Sequence, residues 1–187
     1  MIVNLRGNHG AGKTTVVRAL LSRYGARPRY GLLGLMKPES YSVSIPSVPT
    51  TVYVLGPYQT ATGGADNIQP YSLICQLIGE YAEKGHVIFE GALISTCYGA
   101  VGELLERLGG SVMLFLNTRL EQCIRNVQSR RDLRGDTRPF YPAQLTAKMR
   151  SIASLRERVI REGKIRVVDA DSASAPNTIV RLLKSAV

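Results

Sequence analysis

Tryptophan is absent from this chain, and histidine (2), cysteine (3) and phenylalanine (3) are sparse. Tyrosine, with nine residues, carries most of the aromatic surface. The cysteines, Cys75, Cys97 and Cys123, include no C-x-x-C pair. Their number and spacing argue against a disulfide or zinc framework and predict small buried hydrophobes in a reducing compartment. No apolar run approaches the ~18–20 residues that cross a bilayer, so no membrane partner is expected. The first residues already read as a strand, so no signal or transit peptide is expected, and the expected location is cytoplasmic. Acidic residues are scarce too, 14 against 24 basic ones, which leaves a formal charge of +10. What remains, 187 residues at 44% apolar content, suits one globular α/β domain over residues 1–187.

Against these absences stands one complete motif. Gly7-Asn-His-Gly-Ala-Gly-Lys-Thr14 fits G-x-x-x-x-G-K-[ST], a loop whose backbone N–H groups wrap the phosphates of a nucleoside triphosphate. Gly7 and Gly12 are expected to supply backbone angles that a β-carbon obstructs, with help from Gly10. Asn8, His9, Ala11 and Thr15 complete the cradle, and for His9 the backbone N–H is expected to matter more than the ring. Lys13 is expected at the β- and γ-phosphates, and the Thr14 hydroxyl on Mg²⁺. The context fits: Met1–Arg6 reads as a buried parallel strand, and Val16, Val17, Leu20 and Leu21 recur at helical spacing after the loop. The motif implies ATP or GTP with magnesium.

Apolar runs and helical patterns alternate to the end of the chain, which indicates βαβ units and a parallel sheet. Strands are expected at 2–6, 51–55, 87–90, 112–117 and 165–169. Helices after the first are expected at 70–84, 101–108, 120–130, 142–161 and 175–186. The fold expected is therefore a three-layer α/β P-loop NTPase fold, about five parallel strands with helices on both faces. Residues 25–50, rich in Pro, Gly, Ser and Tyr, read as an irregular stretch with room for an extra hairpin.

Three further constellations carry chemistry. Val87-Ile-Phe-Glu-Gly91 is an apolar strand ending in a carboxylate. Glu90 there is placed to hold Mg²⁺ or its water, or to take a proton from an acceptor. Leu55 to Ile68 follows the second expected strand, at the edge where open parallel sheets bind ligands. Within it Asp66 has two readings: a helix N-cap worth ~1 kcal/mol, or the base that accepts the proton of an attacking hydroxyl. The third, residues 128–140, holds Arg130, Arg131, Arg134 and Arg138 between a helix and a Pro-containing turn. It suits a mobile lid (about 130–141) that brings arginines to the charge spread over a transferring phosphoryl group. Arg130 and Arg134 share a helical face if the helix extends that far. Asp132-Leu-Arg-Gly135 matches the D-x-x-G of GTPases, but it follows a helix and no N-K-x-D motif exists in the chain. Tyr53, Tyr58 and Tyr98 stand near the acceptor side as candidates for stacking on a base. His86 reads as a strand start.

The charge is uneven and mostly arginine, 18 Arg to 6 Lys. Residues 1–38 carry seven bases and no acid; residues 119–161 carry eleven bases and four acids; residues 40–118 carry two bases and six acids. Two basic segments around a phosphate-transfer site suggest a polyanion larger than a nucleotide.

With these residues in view, the chain resembles the phage 5-hydroxymethyluracil (5-hydroxymethyluridine) DNA kinases. The resemblance covers nearly the whole chain. It rests on Ile2-Val-Asn-Leu-Arg-Gly7 leading into the loop, on Tyr53 to Ile68 with its Thr-Gly-Gly-Ala-Asp segment, on Gly85 to Gly91, and on Arg-Gly-Asp-Thr-Arg-Pro ending at Pro139. Family members often carry His-Tyr-Glu where this chain has Pro57-Tyr58-Gln59, which leaves Asp66 as the better acceptor-side carboxylate. The resemblance implies transfer of the ATP γ-phosphate to the hydroxymethyl group of 5-hydroxymethyluracil in DNA, in the cytoplasm of an infected host. Lys13, Asp66, Glu90, Arg130 and Arg134 would be catalytic, and Thr14 and Glu90 would hold Mg²⁺. Two rivals stand beside it: a nucleoside or nucleoside-monophosphate kinase of thymidylate-kinase type, and a nucleotide-dependent DNA-binding module without phosphotransfer.

Overall fold

The computed structural model describes residues 1–31, 37–59, 63–91 and 93–186. In chain order the elements are β1 (Ile2–Arg6), α1 (Lys13–Arg23), β2 (Arg27–Arg29), β3 (Ser40–Val43), β4 (Val52–Leu55), α2 (Tyr71–Ala82), β5 (His86–Glu90), α3 (Gly99–Leu108), β6 (Ser111–Leu116), α4 (Leu120–Asp132), α5 (Pro142–Glu162), β7 (Arg166–Ala170) and α6 (Ala175–Lys184). Among the described residues the sheet has seven strands in the order β2-β3-β4-β5-β1-β6-β7. The five expected parallel strands are there, from β4 to β7. The expectation of a sheet of about five parallel strands is corrected by β2 and β3, which join antiparallel and make the sheet mixed. Their sequences, Arg-Pro-Arg and Ser-Tyr-Ser-Val, carry no apolar run, and all three residues of β2 are exposed. Pro28 is tolerated because β2 is an edge strand. The hairpin foreseen within 25–50 is thus present, while residues 32–36 between its strands lie outside the described residues.

Strands β5, β1 and β6 are buried at every position, as strands covered on both faces must be. The period of two sends Val3, Leu5, Val112 and Leu114 to one face, against α1 and α6. Ile2, Val87, Phe89, Met113 and Phe115 face the other way, against α2 and α3. Helix α5 serves both faces: Leu145 in its first turn joins the first cluster, whereas Ile152, Leu155 and Val159 join the second. It therefore crosses the sheet's upper edge.

The connection out of β1 leads to the β2–β4 side of the sheet, whereas the one out of its neighbour β5 leads past β1 to β6 and β7 on the other side. That reversal beside β1 is a topological switch point, and open parallel sheets bind ligands at the carboxyl ends of the strands there. The glycine-rich loop leaves β1 at this edge, Glu90 ends β5 alongside Leu5, and residues 56–68 follow β4.

Candidate active site

Residues 8–15, Asp66, Glu90 and Arg130 line one cleft of about 580 Å³, together with Gly63, Asn67, Asn126, Ser129 and Leu133. Lys13 opens α1 and is 7% exposed. Its ammonium donates to the carbonyls of Gly7 (2.8 Å) and Asn8 (3.1 Å). Glu90 is 2% exposed, and its Oε1 accepts from the Thr14 hydroxyl at 2.9 Å. Burial raises the Glu90 pKa, opposed by the Lys13 charge and the Thr14 hydrogen bond. Burial likewise lowers Lys13, with Glu90 opposing. Each is costly to ionise alone, and each lessens the cost of the other.

Left-handed backbone occurs at Gly10 (φ 75°) and Gly12 (φ 97°) but not at Gly7. Gly7 is favoured for a different reason than the one expected: a Cβ there would crowd Ala11 and Leu116 at 3.1 and 3.2 Å. The loop is gripped from outside by the two helices that flank residues 133–141. From α4, the Asn126 carboxamide donates to Gly10 O at 2.7 Å. Toward α5, Asn8 Nδ2 donates to Leu145 O at 2.9 Å, and His9 Nε2 lies 2.6 Å from Lys148 Nζ. The His9 N–H donates to Asn8 Oδ1 at 2.9 Å, so here the ring makes the longer-range contact.

Asp66 lies in a single 3-10 turn, Ala65–Asn67, and α2 starts later, with Pro70 as its N-cap. The N-cap reading of Asp66 is therefore corrected, and the helix expected from residue 70 starts one residue later. Instead Asp66 Oδ2 accepts the Leu93 N–H at 3.2 Å. The segment packs tightly on the end of β5: a Cβ on Gly64 would fall 2.8 Å from Glu90 Oε1, and one on Gly91 would fall 2.3 Å from Asp66 Oδ1. Glycine at both positions is what brings the two carboxylates into one cleft. Thr60, Ala61 and Thr62 of this constellation lie outside the described residues.

The four arginines after α4 divide. Arg130 is half-buried in the cleft wall, its pKa lowered by burial and then by Arg134. Arg134 is exposed and off the cleft lining. Helix α4 ends at Asp132, so Arg130 and Arg134 do not share a helical face. Arg131 and Arg138 both pair with Asp136, at 3.1 and 2.8 Å, and Arg131 also lies over the Phe140 ring. The Arg138 hydrogen bonds hold the Asp136 carboxyl well below the usual carboxylate range.

The tyrosines correct the stacking expectation. Tyr53, Tyr58 and Tyr98 are 9%, 6% and 8% exposed. Tyr53 stacks on Tyr81, Tyr58 bonds Leu55 O, and Tyr98 bonds Glu106 beneath the Arg158 guanidinium. Their rings are spent on packing. Of the cysteines only Cys123 is buried; Cys75 is intermediate and Cys97 exposed, and all three are free. His86 does begin β5.

Residues missed from the sequence are Asn126, Ser129, Lys148 and the wholly buried Arg6. The last donates to Asn4 Oδ1 (2.6 Å) and Cys97 O (2.9 Å), tying the end of β1 to the chain after β5. Burial lowers its pKa to about 10.

No protein-family model matches the chain. Two phage proteins do, each called a 5-hmdU DNA kinase. The one from Pseudomonas phage M6 is 29% identical over 170 residues, covering 87% of this chain and 87% of its own. The one from Pseudomonas phage PaMx11 is 30% identical over 186 residues, covering 98% of this chain and 97% of its own. Identity at that level over nearly the full length of both chains is not reached by sharing one loop motif, and this chain belongs to the 5-hmdU DNA kinase family.

Proposed function

We propose that this protein transfers the γ-phosphate of ATP to the hydroxymethyl oxygen of 5-hydroxymethyluracil within DNA. The observation that carries the reading is the meeting, in one cleft at the switch point, of the loop, the Thr14–Glu90 pair and a second carboxylate, Asp66. In this reading residues 7–14 are a phosphate-binding loop, residues 130–141 a lid, and residues 1–187 one kinase domain of three-layer P-loop type.

The donor set fits magnesium bound through phosphates. Among the described residues no group of three His, Cys, Asp or Glu can cage a metal, whereas Mg²⁺ typically takes one or two protein oxygens plus phosphate and water. Thr14 and Glu90 are those oxygens. When bound, the ion neutralises charge on the β- and γ-phosphates. The loop N–H groups and Lys13 hold the triphosphate, and Arg130 meets charge on the transferring group. Arg134, close enough to act on Arg130, joins it when residues 130–141 close. The hydroxymethyl oxygen attacks the γ-phosphorus, the bond to the β-bridging oxygen breaks, ADP leaves, and the hydroxyl proton passes to Asp66. Asp66 suits the base because Glu90 is already engaged by Thr14.

A base inside a duplex must swing out to reach this cleft, and the arginine-rich segment 119–161 suits the flanking phosphates. No helix among the described residues is long and apolar enough to cross a membrane. The test is incubation with γ-labelled ATP and 5-hydroxymethyluracil DNA, unmodified DNA and free nucleotides. Label is expected in the modified DNA alone; label only in free nucleotides, or in nothing, overturns the proposal.

A further inference from the structure

We propose that Lys148, positioned by His9, is a second catalytic lysine that contacts the transferring phosphoryl group. The inference rests on the reading of the loop as a phosphate cradle and adds a residue to it from an element beyond the lid.

Helix α5 is pinned to the loop one turn before Lys148. The Leu145 carbonyl accepts from Asn8, and Asn8 is 3% exposed. Three residues on, the same helix face carries Lys148, whose half-buried ammonium lies 2.6 Å from His9 Nε2. Position 148 falls where α5 passes over the sheet edge, between Leu145 on one side of the sheet and Ile152 on the other. An ammonium has only donors, so the imidazole nitrogen facing it must be the acceptor of a neutral ring. The surroundings enforce that state: burial, then the charges of Lys148, Lys13 and Arg130, lower the His9 pKa to about 4.

A neutral acceptor orients a cation without cancelling its charge. Four of the other basic side chains near the lid and on α5 are treated differently. Arg131 and Arg138 face Asp136, Arg156 faces Asp169 and Arg158 faces Glu162. None of the ion pairs among the described residues takes Lys148. Burial lowers the Lys148 pKa, and the Asp66 charge opposes that shift and favours the ammonium form. Lys148 is not itself on the cleft lining, but it touches His9, which is, and it feels the charge of Asp66. An uncancelled ammonium held there is suited to meet negative charge that develops on the γ-oxygens.

Two measurements on the full chain test this. The first is turnover with 5-hydroxymethyluracil DNA. Lys148→Met is expected to lower kcat about 100-fold with less than about a threefold change in KM for ATP or DNA, and Lys148→Arg to recover part of the loss. His9→Ala is expected to lower kcat less, about tenfold, with His9→Gln recovering part of it. The His9→Ala/Lys148→Met pair is expected to be no worse than Lys148→Met alone. The second is calorimetry with Mg-ADP, with and without aluminium fluoride, a mimic of the phosphoryl group in flight. Lys148→Met is expected to weaken the fluoride complex at least 30-fold while binding of ADP alone changes less than about threefold. Unchanged kcat, additive losses in the double variant, or equal weakening of both ADP complexes overturns the proposal. If the parent protein does not act on modified DNA yet the fluoride selectivity holds, the acceptor assignment falls and the role of Lys148 stands.

Discussion

In the proposed reading, the nucleotide side and the acceptor side of the cleft are built in opposite ways. On the nucleotide side, Lys13 opens a helix, Glu90 ends a fully buried strand, and both are below one-tenth exposed. On the acceptor side, Asp66 rides on a single 3-10 turn after two glycines and is only half-buried. Triphosphate geometry does not vary, so its contacts can be set into the sheet. A base drawn from a long polymer arrives with its backbone attached, and a turn at the cleft mouth leaves room for it. Rigidity is placed where the ligand is constant.

The harshest break of this contrast is Lys13→Ala. It is expected to lower phosphoryl transfer at least about 1,000-fold while salt-dependent DNA binding, measured by filter retention or anisotropy, persists. Intact turnover would remove the loop from the reaction. Next come the two carboxylates, which the contrast separates. Asp66→Asn is expected to cost about 100-fold or more in kcat at unchanged magnesium requirement, as for loss of a general base. Glu90→Gln is expected to cost a similar factor but to raise the magnesium needed for half-maximal rate. The reverse pattern would exchange their roles.

Sharper still is the comparison of two arginines four residues apart. Arg130→Ala is expected to reduce kcat by about 10- to 100-fold, and Arg134→Ala by distinctly less, because only the first lines the cleft. Equal losses would mean that closure brings both in to the same depth. The smallest effect is on stability. The His9 pKa is lowered from 6.5 to about 4, so between those values the unfolded chain binds more protons than the folded one. The stabilisation is complete above about 6.5 and is lost as pH falls through about 4. Thermal melts of the parent should weaken across that window, and His9→Gln should flatten this part of the pH dependence.

Much of this was legible in the chain because it is local. The loop, the strand ending in Glu90 and the helices carry their periodicity within a dozen residues, and their expected boundaries shift by at most two positions. What depended on distant partners did not show. Strands β2 and β3 are short, polar and stabilised by pairing at a sheet edge, so no apolar run announced them. Tyr53, Tyr58 and Tyr98 differ from the 39%-exposed Tyr71 only in which packed layer covers them. Arg131 and Arg138 look like Arg130 until Asp136 is seen to hold them. Lys148 meets His9 across 139 residues of sequence, and no spacing rule reaches that far.

The double attachment of the loop to α5 has a consequence for how the chain can be divided. The strand–loop–helix that opens the sequence looks like a portable module, yet the backbone acceptor for its Asn8 side chain is 137 residues away. A fragment ending before α5 would keep the whole motif and lose the clamp that shapes it. Split versions of the protein should therefore recover a working cradle only when the missing C-terminal piece is supplied in trans.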